Sequence, residues 1–433
     1  MHLLSLIYIA LVVLPITFSG EVHYQPQQIH LSYGGEPTEM WVTWVTMDYT
    51  TSSTVLYGQQ TLDRGVLGNA TKFVDGGKLQ RTMYIHRAKM DGLKPGQRYS
   101  YVVGGHNGWS EMFHFYAIKD GTTWSPYFMV YGDMGNDNAR ALPFLQLDAM
   151  SGKFDAVLHV GDFAYDLDTD NALVGDEFMR QIEVIAGYVP YMTCPGNHES
   201  AYKFSNYRYR FTMPPADGQG MYYSFNMGPA HIISINTEIY FYDSTTEAIK
   251  AQYDWLKKDL IQANHNRLQQ PWIIVMGHKP MYCSNEDGGE LCFNNSNKVR
   301  NGSSLFWPNL EDLFYNYGVD LQFYAHEHSY ERLWPIYKST VCNGSTEKPY
   351  TNPRAPVHII TGSAGDQEGQ TKFIPRPSDW SAFRTDDYGY TRMRIPNATH
   401  LHLDEISTDK EGAVVDSVWI IKEKHGPGLY TCK

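Results

Sequence analysis

The chain has 433 residues and a formal net charge of −12, and this acidity argues against a nucleic-acid partner, because phosphate backbones require clustered Lys and Arg. A hydrophobic fraction of 42% and 32 tyrosines exclude a disordered chain. The length is too great for one ordinary core and predicts two or three domains.

The chain begins with an apolar run over residues 3–18, followed by the small residues Ser19 and Gly20. The run is shorter than the ~20 apolar residues of a spanning helix and ends as secretory signals do. We therefore predict a cleaved signal peptide over residues 1–20, with a membrane anchor as the alternative. No other segment is long enough to span a bilayer, so the mature protein is expected to be secreted or held in the lumen of an acidic vesicle, without a membrane span.

Glycosylation and disulfides are both expected in a secreted chain. The predicted glycan acceptors are the asparagines of the Asn-X-Ser/Thr sequons, namely Asn69, Asn294, Asn301, Asn343 and Asn397. The five cysteines are an odd number, which leaves one thiol free or bridging to another chain. Cys194 lies in an apolar stretch and is predicted to be the buried free thiol. The others allow three pairings, of which Cys283 with Cys292 is the simplest local one.

Residues 21–118 are predicted to form an all-β sandwich. Runs rich in β-branched and aromatic residues, such as 40–45 and 100–103, are separated by Gly and Pro clusters at short intervals. Tyr99 follows a Leu-Lys-Pro-Gly turn and is placed as a tyrosine corner. The segment resembles a fibronectin type III domain and carries no catalytic constellation, so we interpret it as a packing or spacer domain.

After a polar linker at residues 119–126, the pattern changes. Helix-like stretches at 139–150 and 246–263 lie among short apolar runs at residues 127–131, 156–160, 188–193, 231–235, 272–276 and 321–324. Buried strands that alternate with helices predict an α/β domain over residues 127–433. A β-rich part at residues 357–422 is expected to complete its layers.

Several of these apolar runs end in residue types that bind metals. In chain order the candidates are Asp133, Asp162, Tyr165, Asn197, His198, His278, His326 and His328. In an open α/β sheet, ligands bind beyond the carboxyl ends of the strands, so these side chains are expected to converge on one rim. Each residue alone has an ordinary explanation as a turn, cap or packing residue, whereas the whole set predicts a metal site.

The donor set is also chemically coherent. Carboxylates, imidazoles, an amide oxygen and a phenol are enough for two ions. Asp162 has two oxygens and can bridge ions at the roughly 3.5–4 Å separation of two-metal sites. Such a pair clamps a phosphate group and stabilises the charge that develops during in-line displacement.

The strand-end motifs resemble those of the metallophosphoesterase superfamily, specifically the purple acid phosphatases in their long animal form. The motifs are Gly132-Asp-Met-Gly135, Gly161-Asp-Phe-Ala-Tyr165, Gly196-Asn-His-Glu199, Val275-Met-Gly-His278 and Ala325-His-Glu-His328. The resemblance covers essentially the whole mature chain and implies an α/β metallophosphoesterase sandwich, with mixed β-sheets flanked by helices, behind the fibronectin-like domain.

The resemblance also implies a role for each candidate. Asp133, Tyr165 and His328 would bind Fe(III), to which a phenolate is well suited. Asn197, His278 and His326 would bind a divalent Fe, Zn or Mn ion. Asp162 would bridge the two ions, and His198 would contact the phosphate or protonate the leaving group.

Two departures from the family pattern bear on the site. Ala325 stands where the family has a glycine before its His-x-His pair, and its Cβ could tilt that pair. Plant-type members carry further phosphate-contacting histidines shortly after the Val-x-x-His motif, but residues 279–288 contain none. Lys279 and Tyr282 are the candidates to replace them.

The implied function is a secreted acid phosphatase that hydrolyses phosphate monoesters of small molecules or phosphoproteins, by attack of a metal-activated hydroxide. One alternative keeps the metals but acts on diesters or pyrophosphates of nucleotide-like substrates. An alternative of another class is a non-catalytic secreted glycoprotein that binds partners through its β-sandwich. The sequence leaves the oligomeric state open.

Overall fold

The structure is a computed structural model that describes residues 23–214, 218–242, 245–286, 292, 297–302 and 309–432. The predicted signal peptide and the sequon at Asn294 lie outside the described residues. Within these ranges, no helix is both long enough and apolar enough to cross a membrane.

The N-terminal domain consists of two antiparallel sheets. One has the strand order β1-β2-β6-β5 and the other β4-β3-β7-β8, with β9 also paired to β7. The Tyr99 hydroxyl accepts a 2.9 Å hydrogen bond from the backbone N–H of Lys94, which confirms the tyrosine corner. The strands of this predicted β-domain are β1 (Gln27–Ser32), β2 (Met40–Thr46), β3 (Thr54–Gly58), β4 (Arg64–Leu67), β5 (Asn69–Val74), β6 (Thr82–Met90), β7 (Arg98–Gly105), β8 (Gly108–Trp109) and β9 (Phe113–Tyr116).

The second domain contains two larger mixed sheets and their flanking helices. Its strands are β10 (Tyr127–Tyr131), β11 (Ala156–Val160), β12 (Tyr191–Cys194), β13 (Tyr223–Met227), β14 (Ala230–Ser234), β15 (Trp272–Met276), β16 (Leu321–Tyr324), β17 (Tyr330–Leu333), β18 (Ile336–Tyr337), β19 (Thr340–Val341), β20 (Val357–Thr361), β21 (Ser381–Thr385), β22 (Gly389–Arg394), β23 (His400–Ser407) and β24 (Ala413–Ile421). Its helices are α1 (Leu142–Met150), α2 (Thr169–Ala186), α3 (Ala201–Arg210), α4 (Thr246–His265), α5 (Lys298–Asn301) and α6 (Leu310–Asn316).

The two sheets have the strand orders β12-β11-β10-β22-β23-β24 and β13-β14-β15-β16-β20-β17-β21. Strand β15 shows why they pack as layers. Its residues Trp272 and Ile274 belong to the core shared with the first sheet, whereas Ile273 and Val275 belong to the core shared with α4. Because successive side chains of a strand point to opposite faces, a continuous apolar run is buried on both sides.

The predicted element positions differ from the observed ones where proline intervenes. The strand expected from residue 188 begins at Tyr191, after Pro190, which has no N–H to donate to the ladder. The helix expected from residue 139 begins at Leu142, which places Pro143 in the first turn, where its missing N–H costs little. The strands that precede the candidate metal-binding residues belong to two sheets rather than to one open sheet.

The cysteines pair as the simplest local interpretation suggested. Cys283 is bonded to Cys292, and Cys342 is bonded to Cys432 near the C-terminus. Cys194, at the end of β12, is buried and free. The second disulfide joins segments 90 residues apart and therefore constrains the unfolded chain over a long loop.

A buried histidine makes the N-terminal domain sensitive to acid. His86 hydrogen-bonds to Thr46 and Ser53 at 2.8 Å and stacks on Trp44. Burial, with the charge of Arg87, lowers the pKa of His86 to about 4. An unfolded histidine has a pKa near ~6.5, so below that pH the unfolded state takes up a proton that the folded state does not. Stability is therefore lost as the pH falls from 6.5 towards 4.

We expect the free energy of unfolding of the wild type to fall by about 2 kcal/mol more than that of His86→Gln between pH 7 and pH 5. Denaturant unfolding of both proteins at the two pH values measures this difference. The glutamine retains polar contacts but does not titrate, so other buried groups cancel in the comparison. If the free energy of unfolding falls equally in the two proteins, folding does not lower the pKa of His86.

Candidate metal centre

The eight predicted site residues lie on loops that leave the carboxyl ends of five strands. Asp133 follows β10, Asp162 and Tyr165 follow β11, and a short 3₁₀-helix after β12 carries Asn197 and His198. The remaining three histidines follow strands of the other sheet, with His278 after β15 and His326 and His328 after β16. The structure brings all eight together between the edges of the two sheets.

Asp133, Tyr165 and His328 form the first donor cluster. The Tyr165 hydroxyl lies 3.2 Å from Asp133 Oδ1 and 2.9 Å from His328 Nε2. His328 Nε2 is 3.6 Å from Asp133 Oδ1. A carboxylate oxygen, a phenolic oxygen and an imidazole nitrogen therefore lie close together in the protein interior.

Asp162, Asn197, His278 and His326 form the second cluster. His278 Nε2 lies 3.0 Å from Asp162 Oδ2 and 3.1 Å from Asn197 Oδ1. Ligand atoms of Asp162, His278 and His326 all lie within 4.8 Å of one another. Asp162 adjoins the first cluster as well, since its charge acts on both Asp133 and Tyr165.

Two of the histidines are oriented by backbone carbonyls. His278 Nδ1 is 2.9 Å from the Val160 carbonyl, and His328 Nδ1 is 2.7 Å from the Gly369 carbonyl. A carbonyl only accepts, so each Nδ1 carries a proton and each Nε2 is the nitrogen directed at its cluster, where a bound cation would take its lone pair. Metal-binding histidines are held in this way in proteins.

The motif glycines allow this close approach. A Cβ at Gly196 would lie 2.1 Å from Asp162 Oδ1, and one at Gly161 would lie 2.5 Å from the His278 ring. Gly161 also has φ +85°, a conformation that side chains disfavour. The methyl group of Ala325, the departure from the family pattern, lies beside Gly132, and both following histidines still reach their clusters.

The electrostatics of the clusters fit cations. Burial raises the pKa of Asp133 well above its usual range, and burial together with the charges of Asp133 and Asp162 does the same for Tyr165. Burial also opposes the charge on Asp162, but nearby His278 outweighs it and holds the pKa of Asp162 low. Buried carboxylates are costly unless they are paired or bind metal. A donor set of carboxylates, imidazoles, an amide and a phenol therefore fits two metal ions.

His198 lies at the edge of the clusters rather than within them. Its Nδ1 is 2.6 Å from Asp166 Oδ1, its ring packs 4.3 Å from that of Tyr165, and its Nε2 is 3.7 Å from Glu368 Oε1. Burial lowers the pKa of His198, but the hydrogen bond with Asp166 and the charge of Asp162 raise it overall to about 9. These contacts favour the protonated form of the imidazole, which lines the pocket.

Several residues around the site were not predicted. Glu199 accepts backbone N–H bonds from Asp162, Phe163 and Gly196 at 2.8–3.0 Å and so braces two ligand loops. Its position at the end of the Gly-Asn-His-Glu motif could have indicated from the sequence that it lies at the site. Asp366, whose Oδ2 is 3.3 Å from His328 Nδ1, lies in a glycine-rich loop with no such motif.

Of the two candidates to replace the plant-type histidines, only one lies near the clusters. Tyr282 is buried and hydrogen-bonds to Glu311 and to the backbone of Ser339, away from the site. Lys279 Nζ is 3.1 Å from His326 Nε2. The suggestion that Tyr282 contacts phosphate is therefore wrong, because its hydroxyl is used in the core.

Comparison with known proteins supports one family along the chain. Family models match residues 26–117 (purple acid phosphatase, N-terminal domain), 126–330 (calcineurin-like phosphoesterase) and 355–417 (iron/zinc purple acid phosphatase-like protein C). Acid phosphatase type 7 of Mus musculus is 55% identical over 412 residues, covering 94% of this chain and 93% of that protein. The Homo sapiens protein of the same name is 54% identical over 409 residues, with the same two coverages.

Solved structures agree with the sequence comparison. The purple acid phosphatase from yellow lupin (Lupinus luteus) seeds has a TM-score of 0.75 and 25% identity, and the match covers 92% of this chain and 75% of that one. The matches span both domains and the five strand-end motifs. The chain therefore belongs to the purple acid phosphatase family, and it is an acid phosphatase of the type that uses a dinuclear metal centre.

Proposed function

We propose that Asp133, Tyr165 and His328 hold Fe(III), and that Asn197, His278 and His326 hold a divalent Fe, Zn or Mn ion. Asp162 is the ligand common to both. The observation that carries this assignment is the division of seven donors into two adjacent clusters, with the Nε2 atoms of His278 and His328 turned inward. The phenol supports Fe(III) in the first cluster, since an anionic oxygen donor favours a hard, highly charged ion.

The reaction proposed is hydrolysis of phosphate monoesters of small molecules or phosphoproteins. When bound, the ions neutralise phosphoryl charge and activate water. A pocket of about 210 Å³, lined by Asn197, His198 and His328 among others, receives the phosphoryl group. His198, which lines the pocket and is not assigned to an ion, orients the group, so the ester oxygen is presented to its Nε2.

His198 is proposed to act as the general acid. Its Nδ1 is tied to Asp166, which leaves Nε2 to face the pocket. As the P–O bond to the leaving group breaks, Nε2 gives its proton to the departing oxygen. The Tyr165 ring packed against the imidazole limits its rotation.

We also propose that the chain is secreted and glycosylated. Its paired cysteines suit an oxidising compartment. Asn69, Asn301 and Asn397 are exposed and Asn343 is half-buried, so the described sequons are accessible to different degrees. Mass spectrometry of the protein from culture medium, with and without a glycosidase, tests both parts.

The Fe(III) assignment predicts a colour. A tyrosinate–Fe(III) pair absorbs visible light, so the oxidised wild type should be coloured, and Tyr165→Phe should lose the band. Tyr240→Phe, which removes another buried hydroxyl outside the clusters, is the matched control and should keep it. Absorption spectra and iron analysis of the three proteins make the measurement. A colourless wild type with its full iron content would rule out a Tyr165–Fe(III) bond.

A further inference from the structure

A second and larger groove opens beside the metal pocket. Its volume is about 980 Å³, and its walls come from α3, the segment around β13 and the segment before α4. Aromatic side chains form much of its surface, among them Tyr202, Phe204, Tyr222 and Phe241. The described lining residues include two cations, Lys203 and Arg208, and no carboxylate. In a chain of net charge −12, this is a local reversal of sign.

The groove adjoins the metal centre at two places. Ser200, which lines it, directly follows the 3₁₀-helix that carries Asn197 and His198. On the other side, the Phe241 ring lies 4.8 Å from Lys279 Nζ, which in turn lies 3.1 Å from His326 Nε2. A phosphate ester held at the metal pocket can therefore extend its leaving group into the groove.

One cation of the groove has an unused donor. Arg208 Nη1 donates a 2.6 Å hydrogen bond to Gln219 Oε1. Its Nε is buried and has no hydrogen-bond acceptor within the described ranges. Because Nε is inaccessible, an anionic ligand group in the groove would have to meet the terminal nitrogens of the guanidinium, where ionic hydrogen bonds are strong.

The metal pocket itself carries negative side chains that the described lining of the groove lacks. Glu286 and Glu368 line the pocket, and Asp166 lies against His198. A leaving group with negative charge is repelled by these carboxylates and attracted to Lys203 and Arg208. The aromatic walls add stacking for a flat apolar ring.

We propose that the groove is the leaving-group subsite and that it selects phosphate esters whose leaving group joins an aromatic ring to negative charge, as in an acidic phosphotyrosine peptide. This inference rests on the proposed function, because it places the phosphoryl group at the metal pocket. The rings of Phe204 and Phe241 receive the aromatic part, and Lys203 and Arg208 receive the carboxylates.

The test uses the metal-loaded full chain and four peptides of one length. They contain phosphotyrosine or phosphoserine, each flanked by two Glu or by two Lys residues. For the wild type we expect the highest kcat/KM with the acidic phosphotyrosine peptide. The acidic-to-basic ratio is the kcat/KM for the acidic phosphotyrosine peptide divided by that for the basic one. It should fall about tenfold in Lys203→Gln/Arg208→Gln, because ionic hydrogen bonds are lost, and it should invert in Lys203→Glu, because the new carboxylate repels the acidic peptide.

Lys257→Gln/Lys258→Gln is the matched control, because it also lowers the net charge by two, at exposed positions of α4 that do not line the groove. Its acidic-to-basic ratio should equal that of the wild type. Lys203 is exposed, so its variants are expected to fold even where a change at Arg208 disturbs packing.

Each unfavourable outcome has a separate meaning. If all four peptides are hydrolysed and the acidic-to-basic ratio of kcat/KM is the same in the wild type and the groove variants, the subsite is overturned. Equal rates for the acidic phosphotyrosine and phosphoserine peptides would overturn its aromatic selectivity. A metal-loaded wild type that hydrolyses neither the peptides nor phenyl phosphate would instead refute the proposed function.

Discussion

Changing Asp162 to asparagine is expected to lower kcat/KM for phenyl phosphate by roughly a thousandfold. Its Oδ1 accepts a 2.9 Å bond from the backbone N–H of His198, and its Oδ2 lies 3.0 Å from His278 Nε2. Asparagine keeps the shape but loses the charge and one of the two oxygens, so it cannot join two cations. Loss of metal stabilisation costs several kcal/mol, and each ~1.4 kcal/mol is a tenfold change in rate.

Elemental analysis should accompany the kinetics, and the metal content of Asp162→Asn should fall below that of the wild type. Asp259→Asn is a suitable control, because Asp259 forms a similar 2.8 Å pair with His231 away from the pocket. That variant should keep its metals and its rate. Full metal content together with full activity in Asp162→Asn would contradict the shared-ligand role.

The second large effect is expected at His198. Replacing it with glutamine should lower kcat for an alkyl phosphate by about 10²–10⁴-fold, the usual contribution of a general acid. The effect on 4-nitrophenyl phosphate should be much smaller, because that leaving group departs without a proton. Side-by-side kinetics of the two esters give the measurement.

The dependence on the leaving group separates acid catalysis from a structural role. If the imidazole only fills space beside Tyr165, both esters should lose rate equally. His402→Gln, at a β23 position remote from the pocket, should leave both rates unchanged. A uniform loss in His198→Gln would assign His198 to positioning and leave the general acid to another group.

The candidate metal-binding residues could be selected from the sequence because each follows a buried strand. Asp133, Asp162 and His278 follow apolar runs that allow few structures other than interior strands. The position of a side chain at a strand end then limits where it points. The fold class followed from the same alternation of strands and helices.

The surroundings of the site could not be predicted in this way. Asp166, Asp366 and Glu368 reach the histidines from loops whose course depends on packing rather than on local pattern. The residue pattern also did not show which strand belongs to which sheet, because a buried strand has the same composition in either sheet. The groove beside the pocket arises from segments far apart in the chain, and no single motif marks it.

The division of the ligands between two sheets has a consequence for the whole molecule. Asp133 and Asp162 belong to loops of one sheet, and His278 and His326 belong to loops of the other. On the proposed assignment, ions bound by both sets of loops would join the two layers, so metal binding would stabilise the folded state of the whole domain. A substitution such as Ile274→Ala, in the core between the layers, would therefore lower the free energy of unfolding, and an excess of metal ions would offset part of that loss.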